Sequence, residues 1–228
     1  PSPASDPAEN IPADKKEAGE EKNKTAEKEH SAKWGSFFLL VAVGALFGFV
    51  YAALMHFLPR YLDDTGLRPE SIPEASFRNR LTALVLVCGA VGQGVSGWLS
   101  RPGRLQWLLV AVLAANAPCL LWMAFAEGQA RLWATGVVAL VHFMNQPVYN
   151  SLIASYVPPS RRSVSYGFSN LACFGFGSLG PSFAGWAQTL GGTESGDHWT
   201  YGILAGIALL AALLAAVLWR WNPPLPDA

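Results

Sequence analysis

The chain has 228 residues, 51% of them hydrophobic and only 14% charged, against about 25% charged in a typical soluble domain. Sixteen basic residues balance sixteen acidic ones, which excludes a nucleic-acid binder working through bulk charge. Fourteen of those charges lie within residues 1–33, so the rest of the chain has too few to cover a soluble domain and reads as built for lipid.

Residues 1–33 are rich in Ala, Pro, Glu and Lys, with Ile11 as the lone large apolar side chain. Such a segment cannot bury enough surface to offset the entropy of ordering, and a disordered cytoplasmic linker is expected. It has no apolar core of the kind a signal peptide needs. With Pro1 in place of an initiator Met, the sequence is expected to be a piece of a longer protein.

Apolar runs follow at about 34–58, 81–99, 105–126, 132–157, 165–190 and 201–221. Each supplies roughly the 20 residues that a helix needs to cross a hydrocarbon core of about 30 Å. Helices are required because lipid offers the backbone no hydrogen-bond partner. The expectation is an all-α membrane protein with six transmembrane helices over 34–221, a linker before them and a short cytoplasmic tail at 222–228.

In the first span, Tyr51 and His56 are the polar features, and His56 sits near the outer end as an interfacial residue. The second carries Gly89, Gly92, Gly94 and Gly97 around Gln93, and the third is apolar apart from Asn116, which suits one interhelical hydrogen bond. The fourth is the most polar at depth. At 100° per residue, His142, Asn145, Gln146, Tyr149 and Asn150 fall within an arc of roughly 140°. Pro147 lies among them and frees the carbonyl of Phe143, so a bend is expected there. Polar groups at mid-span face a cavity or a partner helix, and the number on this face favours a cavity wall. In the fifth span, Ser169, Cys173, Gly177, Pro181 and Gly185 form a small-residue stripe that permits close helix approach. The sixth span is almost bare of polar groups and is expected to face lipid.

The links after the second and fourth spans hold Arg101, Arg104, Arg161 and Arg162 without an acid. The other side carries Asp63, Asp64, Glu70, Glu74, Glu127, Glu194 and Asp197 together with Arg60, Arg68, Arg78, Arg80 and Arg131, so the contrast lies more in acids than in bases. Both ends of the segment are therefore placed in the cytoplasm. Trp34, Trp98, Trp107, Trp133, Trp199, Trp219 and Trp221 fall at span ends, where an aromatic belt belongs. No Asp or Glu lies inside a span, which leaves His56 and His142 as the groups able to titrate near neutrality.

Cys88, Cys119 and Cys173 sit singly in apolar runs and form neither a zinc motif nor a disulfide framework. Gly175-Phe-Gly177-Ser-Leu-Gly180 matches a dinucleotide fingerprint, but no strand precedes it. No cofactor or metal is expected. Asn23-Lys-Thr25 is a glycosylation sequon on the cytoplasmic side, where it would be idle. Gly94-Val-Ser96-Gly97 resembles the motif of intramembrane serine proteases. Counted from the inner span ends, however, Ser96 and His142 should lie roughly 15 Å or more apart in depth, too far for a nucleophile and its base.

Taken in order, these features resemble the C-terminal half of a major facilitator superfamily transporter. Gly97-Trp-Leu-Ser-Arg101-Pro-Gly103-Arg104 is similar to the family's cytoplasmic Gly-x-Leu-x-Asp-Arg-x-Gly-Arg loop, one residue short and lacking the acid. Tyr156-Val-Pro-Pro-Ser-Arg161-Arg162 with Ser165-Tyr-Gly167 resembles the link between helices ten and eleven. His142 to Asn150 resembles helix ten of the fosmidomycin-resistance and sugar or drug exporter branches. The resemblance implies two inverted three-helix repeats, with spans one and four lining a central cavity and spans three and six peripheral. It also implies rocking of two six-helix halves about a mid-membrane site.

The function expected is thus transport of a small solute across the cell inner membrane. His142, Asn145, Gln146, Tyr149, Asn150 and Tyr51 would face the solute, and Gly97, Arg101, Gly103 and Arg104 would form a gating loop. The partners would be the lipid bilayer, the solute and a missing N-terminal six-helix half, with no nucleic acid. A self-contained six-helix protein acting as a homodimeric channel or half-transporter is the alternative.

Overall fold

The computed structural model describes residues 33–221, apart from the side chains of residues 192–195. Nearly all of the linker and all of the tail expected from the sequence lie outside the described residues. Among those described, regular structure is helical throughout: α1 (Trp34–Asp63), α2 (Glu74–Leu99), α3 (Leu105–Phe125), α4 (Ala130–Phe143), α5 (Asn145–Tyr156), a 3-10 turn (Pro159–Arg161), α6 (Arg162–Gly177) and α7 (Gly180–Trp221). Trp34–Asp63, Glu74–Leu99, Leu105–Phe125 and Gly196–Trp221 are long and apolar enough to cross a membrane unbroken.

The fourth and fifth spans are interrupted, and the same chemistry accounts for both breaks. A proline has no amide hydrogen to give the carbonyl four residues earlier. α4 ends at Phe143, four residues before Pro147, and α6 ends at Gly177, four residues before Pro181. Pro59 and Pro118 lie within α1 and α3 without ending them.

α7 is continuous in its backbone hydrogen bonding yet reverses direction. Straight, its 42 residues would run about 63 Å, twice a membrane core. Instead Thr200 donates through its hydroxyl to the Ala184 carbonyl at 3.4 Å, two residues that a straight helix would hold about 24 Å apart. A Cβ placed on Gly196 would likewise lie 3.1 Å from the Gln188 carbonyl. The chain therefore passes six times between two ends.

At one end the Lys33 amide donates to the Tyr156 carbonyl at 3.0 Å, and the Arg161 guanidinium lies over the Trp34 ring. At the other, Arg131 reaches both Asp64 and Asp197. The core divides between these ends. Phe37, Leu40, Leu109, Leu113, Leu152 and Leu218 pack near the first, and Leu54, Tyr61, Leu120, Met123, Tyr201 and Leu204 near the second.

The small-residue positions set how closely helices approach. Gly44 and Gly48 of α1 lie against Tyr149 and Cys173, while Gly177 and Gly180 lie against the backbone at Gly48, Phe49 and Ala53. On the opposite flank, Gly89 meets the Phe143 ring and Gly92 meets the Leu140 carbonyl, whereas Gly94 and Gly97 face open space. The last pass departs from an all-lipid helix. Its Ala205, Ala208, Ala211, Ala212 and Ala215 are buried, while Leu209, Leu210 and Leu213 remain exposed. Small side chains along one face allow α3 and α7 to pack closely. All seven tryptophans at the span ends are exposed.

Candidate functional site

The break between α4 and α5 organises the polar side chains of the fourth span. His142 occupies the last turn of α4 and is 1% exposed. Its Nδ1 lies 3.1 Å from Oδ1 of Asn116 on α3. The Phe47 ring stacks on the imidazole at a centroid distance of 4.1 Å and 14° between planes, with Tyr51 nearly parallel at 6.0 Å. The imidazole Nε2 is buried without a partner, as are both polar atoms of the Asn145 side chain. A buried polar group left unbonded costs about 1–3 kcal/mol, and both residues flank the one point where this helix is interrupted.

The five polar residues of the arc do not share one surface. His142 and Asn145 point into the bundle. Gln146 is exposed and accepts a hydrogen bond from Nε2 of Gln93 on α2 at 2.8 Å. The Tyr149 hydroxyl lies 2.6 Å from Ser169 Oγ and 3.7 Å from Cys173 Sγ, which ties α5 to α6 beside Gly44. Asn150 is exposed, and its backbone carbonyl accepts from the Tyr166 hydroxyl at 2.9 Å. Tyr51 is half-buried next to His142 and Phe143. The kink thus sends His142 and Asn145 inward, Tyr149 to α6 and Gln146 to α2, and leaves the Asn150 side chain exposed.

The separation in depth expected between Ser96 and the His142 region is not found. Ser96 is buried and donates its hydroxyl hydrogen to the carbonyl of Met144, at the break itself. Counting from span ends misleads because α2 and α5 end at different depths. The hydroxyl is committed to a backbone acceptor and His142 Nε2 bonds to nothing, so no nucleophile–base pair forms.

In the loop between α2 and α3, Gly103 adopts φ +79°, a conformation that costs other residues roughly 1–2 kcal/mol. Arg101 and Arg104 are exposed, and the Arg104 amide donates to the Arg101 carbonyl at 3.1 Å. The turn therefore projects both guanidinium groups at the rim of the bundle, and Gly97 sits exposed just before it. His56 is exposed and rests edge-on against Phe57. Cys88, Cys119 and Cys173 are free thiols, and no cluster of metal-ligating residues occurs among the described residues.

Two features were not apparent as parts of a site in the sequence. Phe47 gives no signal because it is one apolar residue in an apolar span, while Asn116, alone in the middle of its helix, was visible as polar but without a partner. The second is a polar cavity of about 430 Å³ at the far end, lined in part by Arg60, Asp64, Glu127, Arg131, Gln188 and His198. Arg131 is its hub, 2.9 Å from Asp197, 3.4 Å from Asp64 and 4.6 Å above the Tyr61 ring.

A six-pass helical bundle with exposed apolar faces and tryptophans at its span ends has the features of an integral membrane protein. The sequence model of the Major Facilitator Superfamily matches residues 5–181, and the chain belongs to that superfamily. Among solved structures, the fold is similar to a bacterial homolog of the human lysosomal transporter Spinster in an inward-facing and unoccupied conformation, with a TM-score of 0.70 and 17% identity. The likeness covers 100% of this chain and 56% of that one. An auto-inhibited peptide transporter of the POT family is similar with a TM-score of 0.62 and 16% identity, over 85% of this chain and 39% of its own. The chain thus spans about half the length of the structures it matches. No curated protein matches the sequence.

Proposed function

We propose that this chain is the C-terminal half of a twelve-helix secondary transporter that moves a small solute by alternating access. The observation that carries the reading is the broken fourth span, where buried His142 and Asn145 hold polar atoms without partners beside a proline-freed backbone. Transporters commonly build mid-membrane sites from discontinuous helices of this kind. His142, Asn145, Gln146, Tyr149, Asn150 and Tyr51 would be this half's share of the solute site. Such a set, donors and acceptors beside aromatic rings, suits a polar solute of modest size.

The reading of two inverted three-helix repeats draws support from matched packing. The first pass meets the fifth through Gly48 and Gly177 as the second meets the fourth through Gly89 and Gly92. Exchanging the first pass with the fourth and the second with the fifth, as the repeats would, converts one of these crossings into the other. The partners would be lipid, the solute and an N-terminal six-helix half, which the 56% coverage of the Spinster homolog leaves room for. Placement in the cell inner membrane, with both ends of the segment and the Gly97–Arg104 gating loop on the cytoplasmic side, is part of this reading. What supports the orientation is that the links holding Arg101, Arg104, Arg161 and Arg162 contain no acid.

The test uses the full-length protein. Metabolites inside and outside cells that carry or lack it identify a transported solute, and uptake of that solute is then measured in the double variant Gln146→Ala, Asn150→Ala. Both side chains are exposed, so membrane abundance should hold while uptake is lost. Unchanged uptake kinetics in the double variant would sink the assignment.

A further inference from the structure

The hydrogen-bond inventory around His142 decides which of its two ring nitrogens carries a proton. Asn116 is buried in the middle of α3, and its Nδ2 donates to the Val112 carbonyl at 2.9 Å. A backbone carbonyl only accepts, so the amide nitrogen must occupy that side and Oδ1 the other. Oδ1 is the atom that lies 3.1 Å from His142 Nδ1. Since Oδ1 cannot donate, Nδ1 must carry the hydrogen. No Asp or Glu lies within the apolar spans to hold an imidazolium in lipid, where an unpaired charge is expensive, so the ring is neutral. A neutral imidazole has one N–H, which leaves Nε2 with a bare lone pair, buried and unpartnered.

We infer that Asn116 is a positioning residue that holds His142 in its Nδ1–H tautomer and thereby leaves the buried, unpartnered Nε2 as a hydrogen-bond acceptor for the solute. The inference rests on the proposed solute site and deepens it. The solute group that meets His142 is then a donor, a hydroxyl or an N–H, rather than a carbonyl or carboxylate. Two constraints act on the ring together: the Asn116 bond fixes its rotation, and the parallel Phe47 ring at 4.1 Å fixes its tilt. Asn145, with both donor and acceptor unpartnered, is able to complete the contact from either side. Neither Asn116 nor Phe47 needs to touch the solute.

The experiment is solid-state NMR of the full-length protein in bilayers with 15N-labelled histidine, the His142 signals being assigned by their loss in His142→Gln. The wild-type protein is expected to show a protonated Nδ1 and an unprotonated Nε2. In Asn116→Leu the Nδ1–H form should fall from dominant to minor. An Nε2–H tautomer in the wild type would overturn the inference, as would an unchanged tautomer ratio in a folded Asn116→Leu protein. The wild-type spectrum alone suffices should that variant fail to fold. Uptake by the Gln146 and Asn150 double variant is independent of this readout, so failure of the tautomer assignment and failure of the solute site are told apart.

Discussion

Gly48 of α1 lies directly beneath the backbone carbonyl of Cys173 on α6, so close that a Cβ at Gly48 would collide with it. The obstructing atoms belong to the main chain, which has no rotamer to yield, and relief requires the helices to separate. Small residues at such crossings let dispersion between backbones act at short range in a solvent as apolar as the side chains.

Gly48→Ala is therefore expected to destabilise the bundle by about 1–3 kcal/mol, the usual cost of overpacking. Gly94→Ala is the matched control, because nothing lies within 4 Å of a Cβ there and alanine is the better helix former by about 1 kcal/mol. Melting of the detergent-solubilised full-length protein checks the pair. The expected order is Gly94→Ala at or above the wild type and Gly48→Ala below it.

Pro147 sets the kink at Met144 by leaving the Phe143 carbonyl without its helical donor, and Ser96 caps the Met144 carbonyl from α2. Pro147→Ala restores the donor, and a proline inside a helix costs about 3 kcal/mol or more. The variant should be at least as stable as the wild type and should lose most uptake, because a straightened helix turns His142 and Asn145 relative to Gln146. A variant that melts earlier and transports normally would show that the break is incidental.

Arg131 gathers the far ends of three passes, but its two carboxylate partners differ in burial. The Asp197 side chain retains 25% of its accessibility and Asp64 61%. Exposed pairs contribute about 0–1 kcal/mol, whereas hydrogen bonds to a charged group away from water contribute about 1.5–3 kcal/mol. Asp64→Asn should scarcely move the melting temperature, and Asp197→Asn should lower it. Arg131→Lys should also lower it, since an ammonium lacks the planar guanidinium that lies over the Tyr61 ring while its Nη1 meets both carboxylates. Equal effects for the two aspartates would contradict this division.

The number of passes, their helical nature and the belt of tryptophans were legible in the sequence, because run length and polarity report directly on the lipid that each segment meets. The bend at Pro147 was legible as well, because a missing amide hydrogen frees the carbonyl four places back. The break before Pro181 was not, since Pro59 and Pro118 carry the same chemistry and leave their helices unbroken. The small-residue stripe on the fifth span marked a close helix crossing, though its partner, Gly48, is one glycine among several in the first span.

What the sequence could not reveal was which side chains meet across the bundle. His142, Asn145, Gln146, Tyr149 and Asn150 occupy one arc on a helical wheel, yet the kink divides them among the interior, Ser169, Gln93 and the exposed surface. Ser96 reaches Met144 because α2 and α5 end at different depths, a stagger that no count of residues contains. Asn116 and His142 stand 26 positions apart, and Phe47 is one apolar residue among many. Local chemistry determines where helices start, bend and stop. The juxtaposition of two polar atoms on different helices depends on crossing angles and offsets set by the packing of every side chain between them, and only the tertiary structure decides those.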